Sequence, residues 1–309
     1  MSVVRPVVVG LICFFLVIAV AYSEQSKKES QATPQSMTIP AQRAVKYVKV
    51  ANRDGDKSAT TSSLNEATIN NSRLCTEMNW TFGGKTQHGY ELYLPLICHL
   101  IGAESSFDQP DFAQALATWQ RTTGLTPHGT LDQDTWSRMV ATWQGRRVRN
   151  YGVANTDKLV LVSANHFYAT DRPAELRYVD REAFEAYQQM VAAAASDPTL
   201  NLQITTDGQL APEEKFLKII SAFRSPEYQA QLRQRSPGAG RAALAVHSPH
   251  FTGRALDLYV GGEPVTTKDA NRALQTRTRV YQWLVKNAEK FGFYPYFYEP
   301  WHWEYRSRS

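Results

Sequence analysis

Hydrophobic residues recur every three or four positions in several stretches of the chain, which is the spacing of helices that bury one face. Gly102 and Gly124 follow the first two stretches, and glycine is typical of the position just after a helix. A glycine-containing loop then leads to a third short helix with Asp132 or Asp134 near its start. Further helices are predicted at about residues 182–195, 226–235 and 274–290.

Shorter runs rich in β-branched and aromatic residues predict strands. Residues 158–163 have the length of a strand, and residues 216–223 read as a buried strand that ends just before Arg224. Residues 253–260 alternate in polarity, and residues 293–305 are aromatic and extended. The chain therefore combines a helical first part with a second part that mixes helices and strands.

The alternation at residues 253–260 separates one carboxylate from its apolar neighbours. Asp257 shares a strand face with Ala255, whereas Leu256 and Leu258 lie on the other face. Gly253 permits a turn that returns His250 to the face of Asp257.

A second cluster of polar residues lies near the end of the chain. His302 and Glu304 share a strand face, and Pro300 interrupts the alternation so that Glu299 can face the same side. Two histidines and a carboxylate form a ligand set that leaves one position on a zinc ion open for water. A separate carboxylate supplies the base that such chemistry needs.

Composition and charge narrow the possible partners. The chain has 309 residues and 43% hydrophobic content, enough for more than one domain. Lys and Arg total 34 against 29 Asp and Glu, a modest excess that suits an anionic partner such as cell-wall polymer or a membrane surface. No basic run is dense enough to favour nucleic acid.

The first 23 residues have the features of an export signal: a short basic start, an apolar run and a small-x-small cleavage site. The run is shorter than the roughly 20 apolar residues of a spanning helix, so a cleaved signal is favoured over a retained membrane anchor. Export places the protein in the periplasm or cell wall. Cys75 and Cys98 are then the two cysteines of the exported part, and an oxidising compartment favours a disulfide between them. Two reduced, buried thiols are the alternative.

The helical first part resembles the small three-helix peptidoglycan-binding domain that accompanies wall hydrolases. The residues that carry this resemblance are Ala117-Thr118-Trp119-Gln120, Gly124-Leu125, His128-Gly129 and Thr135-Trp136. The chain departs from the pattern at His128, where Asp is more usual. A helical spacer whose tryptophans are core residues is the alternative interpretation.

The second part resembles the zinc peptidases of the D-alanyl-D-alanine carboxypeptidase and dipeptidase family. The resemblance is carried by the paired motifs Ser248-x-His250-x-x-Gly253-x-Ala255-x-Asp257 and Glu299-x-x-His302, with Ser221-Ala222-Phe223-Arg224 upstream. It implies one zinc ion per chain with His250, Asp257 and His302 as ligands, and Glu299 as the base. Arg224 is implied to stabilise the oxyanion or the substrate carboxylate, because a fixed guanidinium suits both.

Further residues near these motifs are candidates for substrate binding, metal binding or catalysis. Ser248 and Gln229 are expected to bind substrate, with orientation of the loop as a second role for Ser248. His247 is a rival ligand, and Glu304 is a rival base.

The sequence thus predicts an α+β zinc peptidase domain, with a small antiparallel sheet flanked by helices, preceded by a small all-α three-helix domain. The expected boundaries are a signal peptide at 1–23, a flexible tether at 24–71, the peptidoglycan-binding-like domain at 72–145 and the peptidase domain at 152–309. The expected activity is removal of the terminal D-alanine from peptidoglycan stem peptides. A wall endopeptidase and an inactive wall-binding protein are the alternatives.

Overall fold

The computed structural model describes residues 61–149, 151–236 and 245–307. The predicted signal at 1–23 and the predicted tether up to residue 60 lie outside the described residues. Everything described belongs to one compact unit. None of its helices is long and apolar enough to cross a membrane.

The first part of the described chain contains four helices and one hairpin. The helices are α1 (Thr61–Glu77), α2 (Leu94–Ile101), α3 (Pro110–Thr122) and α4 (Gln133–Arg146), and the hairpin strands are β1 (Asn79–Phe82) and β2 (Lys85–His88). Helices α2, α3 and α4 confirm the three helices that the hydrophobic periodicity predicted in this part. Gly102 ends α2 in the left-handed conformation, and the Asp132 side chain caps α4 by accepting a hydrogen bond from the Thr135 N–H.

Helix α1 covers the last residues of the predicted tether, so that prediction was wrong over residues 61–71. Asn71 links this polar segment to the loop before α4. Its buried side chain donates to the Gly129 carbonyl and accepts from the Leu131 N–H, at 2.9 and 2.7 Å. An asparagine that satisfies two backbone groups of a distant loop is a tertiary contact, which local periodicity does not reveal.

The hairpin β1–β2 departs from the expected all-α composition of this part. Gly83 and Gly84 join the strands, both with positive φ, which is the geometry of a two-residue turn that matches strand twist. Residues 79–88 are too short and too polar to show a clear alternation.

The second part contains six strands and four helices within the described residues. They are β3 (Leu159–Leu161), β4 (Tyr178–Asp180), α5 (Arg181–Ala195), β5 (Ile219–Ser221), α6 (Pro226–Arg235), β6 (Ala255–Leu258), α7 (Asp269–Thr276), α8 (Arg279–Asn287), β7 (Phe293–Pro295) and β8 (His302–Tyr305). Strands β3 and β4 form an antiparallel pair. The remaining strands form an antiparallel sheet in the order β5-β6-β8-β7. This α+β arrangement agrees with the expected fold class of the second part.

Two predicted elements are shorter than expected. The helix predicted at 274–290 is divided into α7 and α8, because Thr278 takes an extended conformation and its hydroxyl caps α8 at the Tyr281 N–H. The strand predicted at 216–223 is reduced to β5, preceded by Leu217 with a φ of 65°. Positive φ is incompatible with a regular strand.

One cluster of buried hydrophobic residues runs through both parts of the chain. Phe297 lies at the junction. Its ring centroid is 5.9 Å from that of Trp143 and 4.8 Å from that of Phe82, which belong to α4 and to the hairpin. The helical part therefore packs against the chain segment that precedes Glu299.

The predicted disulfide between Cys75 and Cys98 is absent, and both thiols are free. Cys75 is buried in α1, and burial raises its thiol pKa to about 12. Cys98 lies in α2, where its thiol contacts the Ser105 carbonyl at 3.8 Å. The alternative of two reduced thiols is the one that the structure supports.

Candidate active site

The central pair of strands brings together the two motifs of the predicted site. Asp257 of β6 lies directly opposite His302 of β8, and their Oδ1 and Nδ1 atoms are 2.9 Å apart. Both side chains are buried. The antiparallel register therefore places Asp257 and His302 side by side on one face of the sheet, the face that the alternation in each strand predicted.

His250 reaches the same point from a short 3-10 helix at Pro249–Thr252. The Ser248 hydroxyl caps this helix by accepting from the His250 N–H, and Gly253 ends it with a φ of 67°. A Cβ at Gly253 would lie 2.9 Å from the Asp180 nitrogen, so the position requires glycine both for its conformation and for its space. His250 Nε2 thereby comes within 3.3 Å of Asp257 Oδ2.

These three residues fit a zinc ion. Among the described residues, His250, Asp257 and His302 form a group whose ligand atoms all lie within 4.8 Å of one another. His250 Nδ1 lies 2.7 Å from the Ala222 carbonyl, so the proton belongs there and Nε2 is left for a metal. Two imidazoles and one carboxylate are the donor set of an open zinc site. His247, the rival ligand, is not part of this group.

Glu299 lies in the turn between β7 and β8, where its backbone carbonyl accepts from the His302 N–H at 2.9 Å. Burial raises the pKa of its carboxyl to about 8, and the charge of Asp257 acts in the same direction. The positive charges of His302 and Arg224 oppose the shift. A buried carboxyl group with a pKa near neutrality is able to exchange protons with a reactant.

Arg224 follows β5 and pairs with Asp257, since its Nη2 lies 2.7 Å from Oδ2. Its Nε donates to the Ser221 hydroxyl at 2.9 Å. Gln229 is buried in α6 and lies 3.5 Å from Arg224 through its Oε1, while its amide donates to the Ala245 carbonyl. The contacts of Ser248 and Gln229 thus orient the loop and the guanidinium.

Glu304, the rival base, has both carboxylate oxygens occupied. Arg147 and the Val148 N–H donate to it, and His302 Nε2 lies 3.1 Å from its Oε1. Burial alone would raise its carboxyl pKa, but the hydrogen bonds from His302 and Arg147 lower it to about 2. A carboxylate that stays ionised and fully bonded is poorly suited to accept a proton.

The two histidines differ in their affinity for protons. Burial, followed by the charge of Arg224, lowers the pKa of His250 to about 4. Burial also opposes protonation of His302, yet its hydrogen bonds to Asp257 and Glu304 prevail and raise the pKa to about 9. His302 is thus protonated on both ring nitrogens at neutral pH in the metal-free protein, and binding of a metal ion would release one of these protons.

Residues 176–308 match a known family model. Its description is VanY, D-alanyl-D-alanine carboxypeptidase. The VanY match contains the buried cluster of two histidines and one aspartate together with Arg224 and Glu299, and it supports a carboxypeptidase-like peptidase in this segment. No curated protein shows significant similarity to the chain.

Arg147 is a component of the site that sequence reasoning missed. It lies outside the VanY match and in the basic run at 146–149, between the two domains expected at 72–145 and 152–309. The sequence signal was weak, because the helix dipole already favours a basic residue at a helix C-terminus, with or without a specific partner.

Proposed function

We propose that the protein is an exported zinc peptidase that removes the terminal D-alanine from peptidoglycan stem peptides. The observation that carries the proposal is the convergence of His250, Asp257 and His302 at one buried point beside Glu299. The VanY match supports the substrate class. His250 Nε2, His302 Nδ1 and the Asp257 carboxylate would hold the ion, which supplies polarisation of the scissile carbonyl and activation of a water molecule when bound.

The remaining residues handle the proton and the developing charge. Glu299 in its ionised form accepts the proton of the attacking water and passes it to the leaving amine. Arg224 stabilises the oxyanion or the carboxylate of the substrate, and Ser221 and Gln229 hold its guanidinium in place. Ser248 orients the His250 loop.

Product analysis tests the reaction. The purified protein is incubated with a stem pentapeptide that ends in D-alanyl-D-alanine, and its metal content is measured in parallel. We expect release of one D-alanine, loss of activity with a chelator and recovery with zinc. Internal fragments without free D-alanine would replace this proposal with an endopeptidase. Absence of any hydrolysis by zinc-loaded protein would leave only a wall-binding role.

We also propose peptidoglycan as the partner of the helical part. Its resemblance to wall-binding domains is the support, although the residues that carry that resemblance have internal roles. Gln120 is buried and donates to the Thr130 carbonyl, and Trp136 packs in the core. Co-sedimentation of the full chain with insoluble peptidoglycan, using the variant Glu299→Gln to prevent hydrolysis, tests this binding. A protein that stays in the supernatant contradicts it.

A further inference from the structure

The residue that follows helix α4 contacts a carboxylate beside the metal-ligand cluster. Arg147 donates to Glu304 Oε1 from Nε and Nη2, at 2.9 and 2.6 Å. The Val148 N–H donates to Oε2 of the same carboxylate at 2.8 Å. Two consecutive residues directly after helix α4 therefore fix both oxygens of Glu304.

Glu304 in turn contacts His302. Its Oε1 lies 3.1 Å from Nε2 of the imidazole, on the side of the ring opposite to the Asp257 contact. The Glu304 side chain is fully buried, and that of Arg147 is only 14% exposed. Water therefore competes little for these hydrogen bonds, and the orientation of the imidazole depends on where Arg147 holds the carboxylate.

Two further contacts hold the guanidinium group of Arg147 in its orientation. Its central carbon lies 4.0 Å from the ring centroid of Tyr296, and Gln144 accepts from its Nη1 at 3.0 Å. The Tyr296 ring also packs edge-on against His302, at 5.8 Å between centroids. The guanidinium stacks on an aromatic ring and donates two hydrogen bonds to one carboxylate at the same time. A lysine ammonium cannot reproduce this geometry.

We propose that Arg147 is a positioning residue for the metal ligand His302, and that it acts through Glu304. Since Nε2–H of His302 donates to Glu304, Nδ1 is left for the ion, and the buried carboxylate fixes the orientation of the ring. The inference rests on the proposed function, since it requires that His302 binds zinc. It also implies that residues 176–308 lack one part of their own metal site.

Zinc affinity of the full chain tests the inference. The dissociation constant is measured by competition with a chromogenic chelator for wild type, Arg147→Ala, Arg147→Lys and Glu304→Gln. The matched control is Arg146→Ala, which alters the neighbouring arginine and its contact with Glu289 at 3.2 Å, away from the cluster. We expect Arg147→Ala to weaken zinc binding about 10–100-fold relative to Arg146→Ala, and Glu304→Gln and Arg147→Lys to weaken it about tenfold.

The unfolding temperature of each metal-free variant separates positioning from general stability. A merely structural Arg147 would change that temperature while leaving the zinc dissociation constant within twofold of the control, and this result would overturn the inference. If Arg147→Ala does not fold, unchanged zinc affinity in both Arg147→Lys and Glu304→Gln overturns it equally. A wild-type protein that binds no zinc refutes the proposed function instead, so the two failures are distinguishable.

Discussion

Asp257 and His302 lie directly opposite each other on adjacent antiparallel strands, with 2.9 Å between Oδ1 and Nδ1. They are 45 positions apart in the chain. The register of β6 and β8 therefore decides whether two distant motifs form one site. A shift of one residue would turn one of the two side chains to the opposite face of the sheet.

The first prediction concerns the ligands. His302→Ala should abolish stoichiometric zinc binding, because a single histidine and one carboxylate remain for the ion. Metal analysis of the dialysed protein measures this. His247→Ala is the matched control and should keep one zinc per chain, since His247 is not among the clustered residues. Equal zinc loss in both variants would contradict the ligand assignment.

The second prediction concerns the base. Glu299→Gln should lower kcat for D-alanine release by about 10²–10⁴-fold, because the amide cannot accept the proton of the attacking water. Its zinc content should equal that of wild type, since Glu299 is not among the clustered ligand residues. Steady-state kinetics and metal analysis on the same preparation measure both. Turnover of Glu299→Gln at the wild-type rate would contradict the assignment of Glu299 as the base.

The third prediction concerns pH and stability of the metal-free protein. The pKa of Glu299 is raised from 4.5 to about 8, so protonated Glu299 contributes stability that is complete below about pH 4.5 and lost as the pH rises through 8. Glu299→Gln stays neutral at every pH. We therefore expect wild type to lose unfolding free energy relative to Glu299→Gln between about pH 5 and 8.

Denaturant titrations of both proteins at several pH values give this difference, and zinc is removed beforehand with a chelator. His302 is common to both proteins, so the comparison largely removes its contribution. A difference that stays constant over this pH range would show that the carboxyl group is not buried as the structure describes.

The fourth prediction concerns the loop before α4. A Cβ at Gly129 would lie 2.7 Å from the Ala113 carbonyl oxygen, whereas one at Gly124 would meet nothing within 4 Å. Both glycines have positive φ, so Gly124→Ala is a control for backbone strain alone, about 1–2 kcal/mol. We expect Gly129→Ala to cost about 1–3 kcal/mol more in unfolding free energy. Equal losses, measured by denaturant unfolding, would contradict the close approach.

The chemistry of the candidate site follows from residue types and local spacing. The alternation around Asp257 and that around His302 each specify one strand face, and Gly253 marks the turn that returns His250. Two helix ends also follow from residues close to them in the sequence. Helix α6 begins at Pro226 and helix α2 ends at Gly102, as predicted. Both signals are local, because an N-terminal proline and a left-handed glycine act within a single turn.

Tertiary structure decided the rest. The helix that contains Asn71 and the break at Thr278 both involve contacts with distant segments, since Asn71 accepts from the Leu131 N–H and the Thr278 hydroxyl donates to the Val260 carbonyl. The free state of Cys75 likewise depends on how the chain places it relative to Cys98. Arg147 meets Glu304 across 157 positions, and no periodicity encodes a pair so far apart. Local patterns therefore determined which side chains the sheet presents, whereas packing of the helical part against that sheet determined which further residues hold them in place.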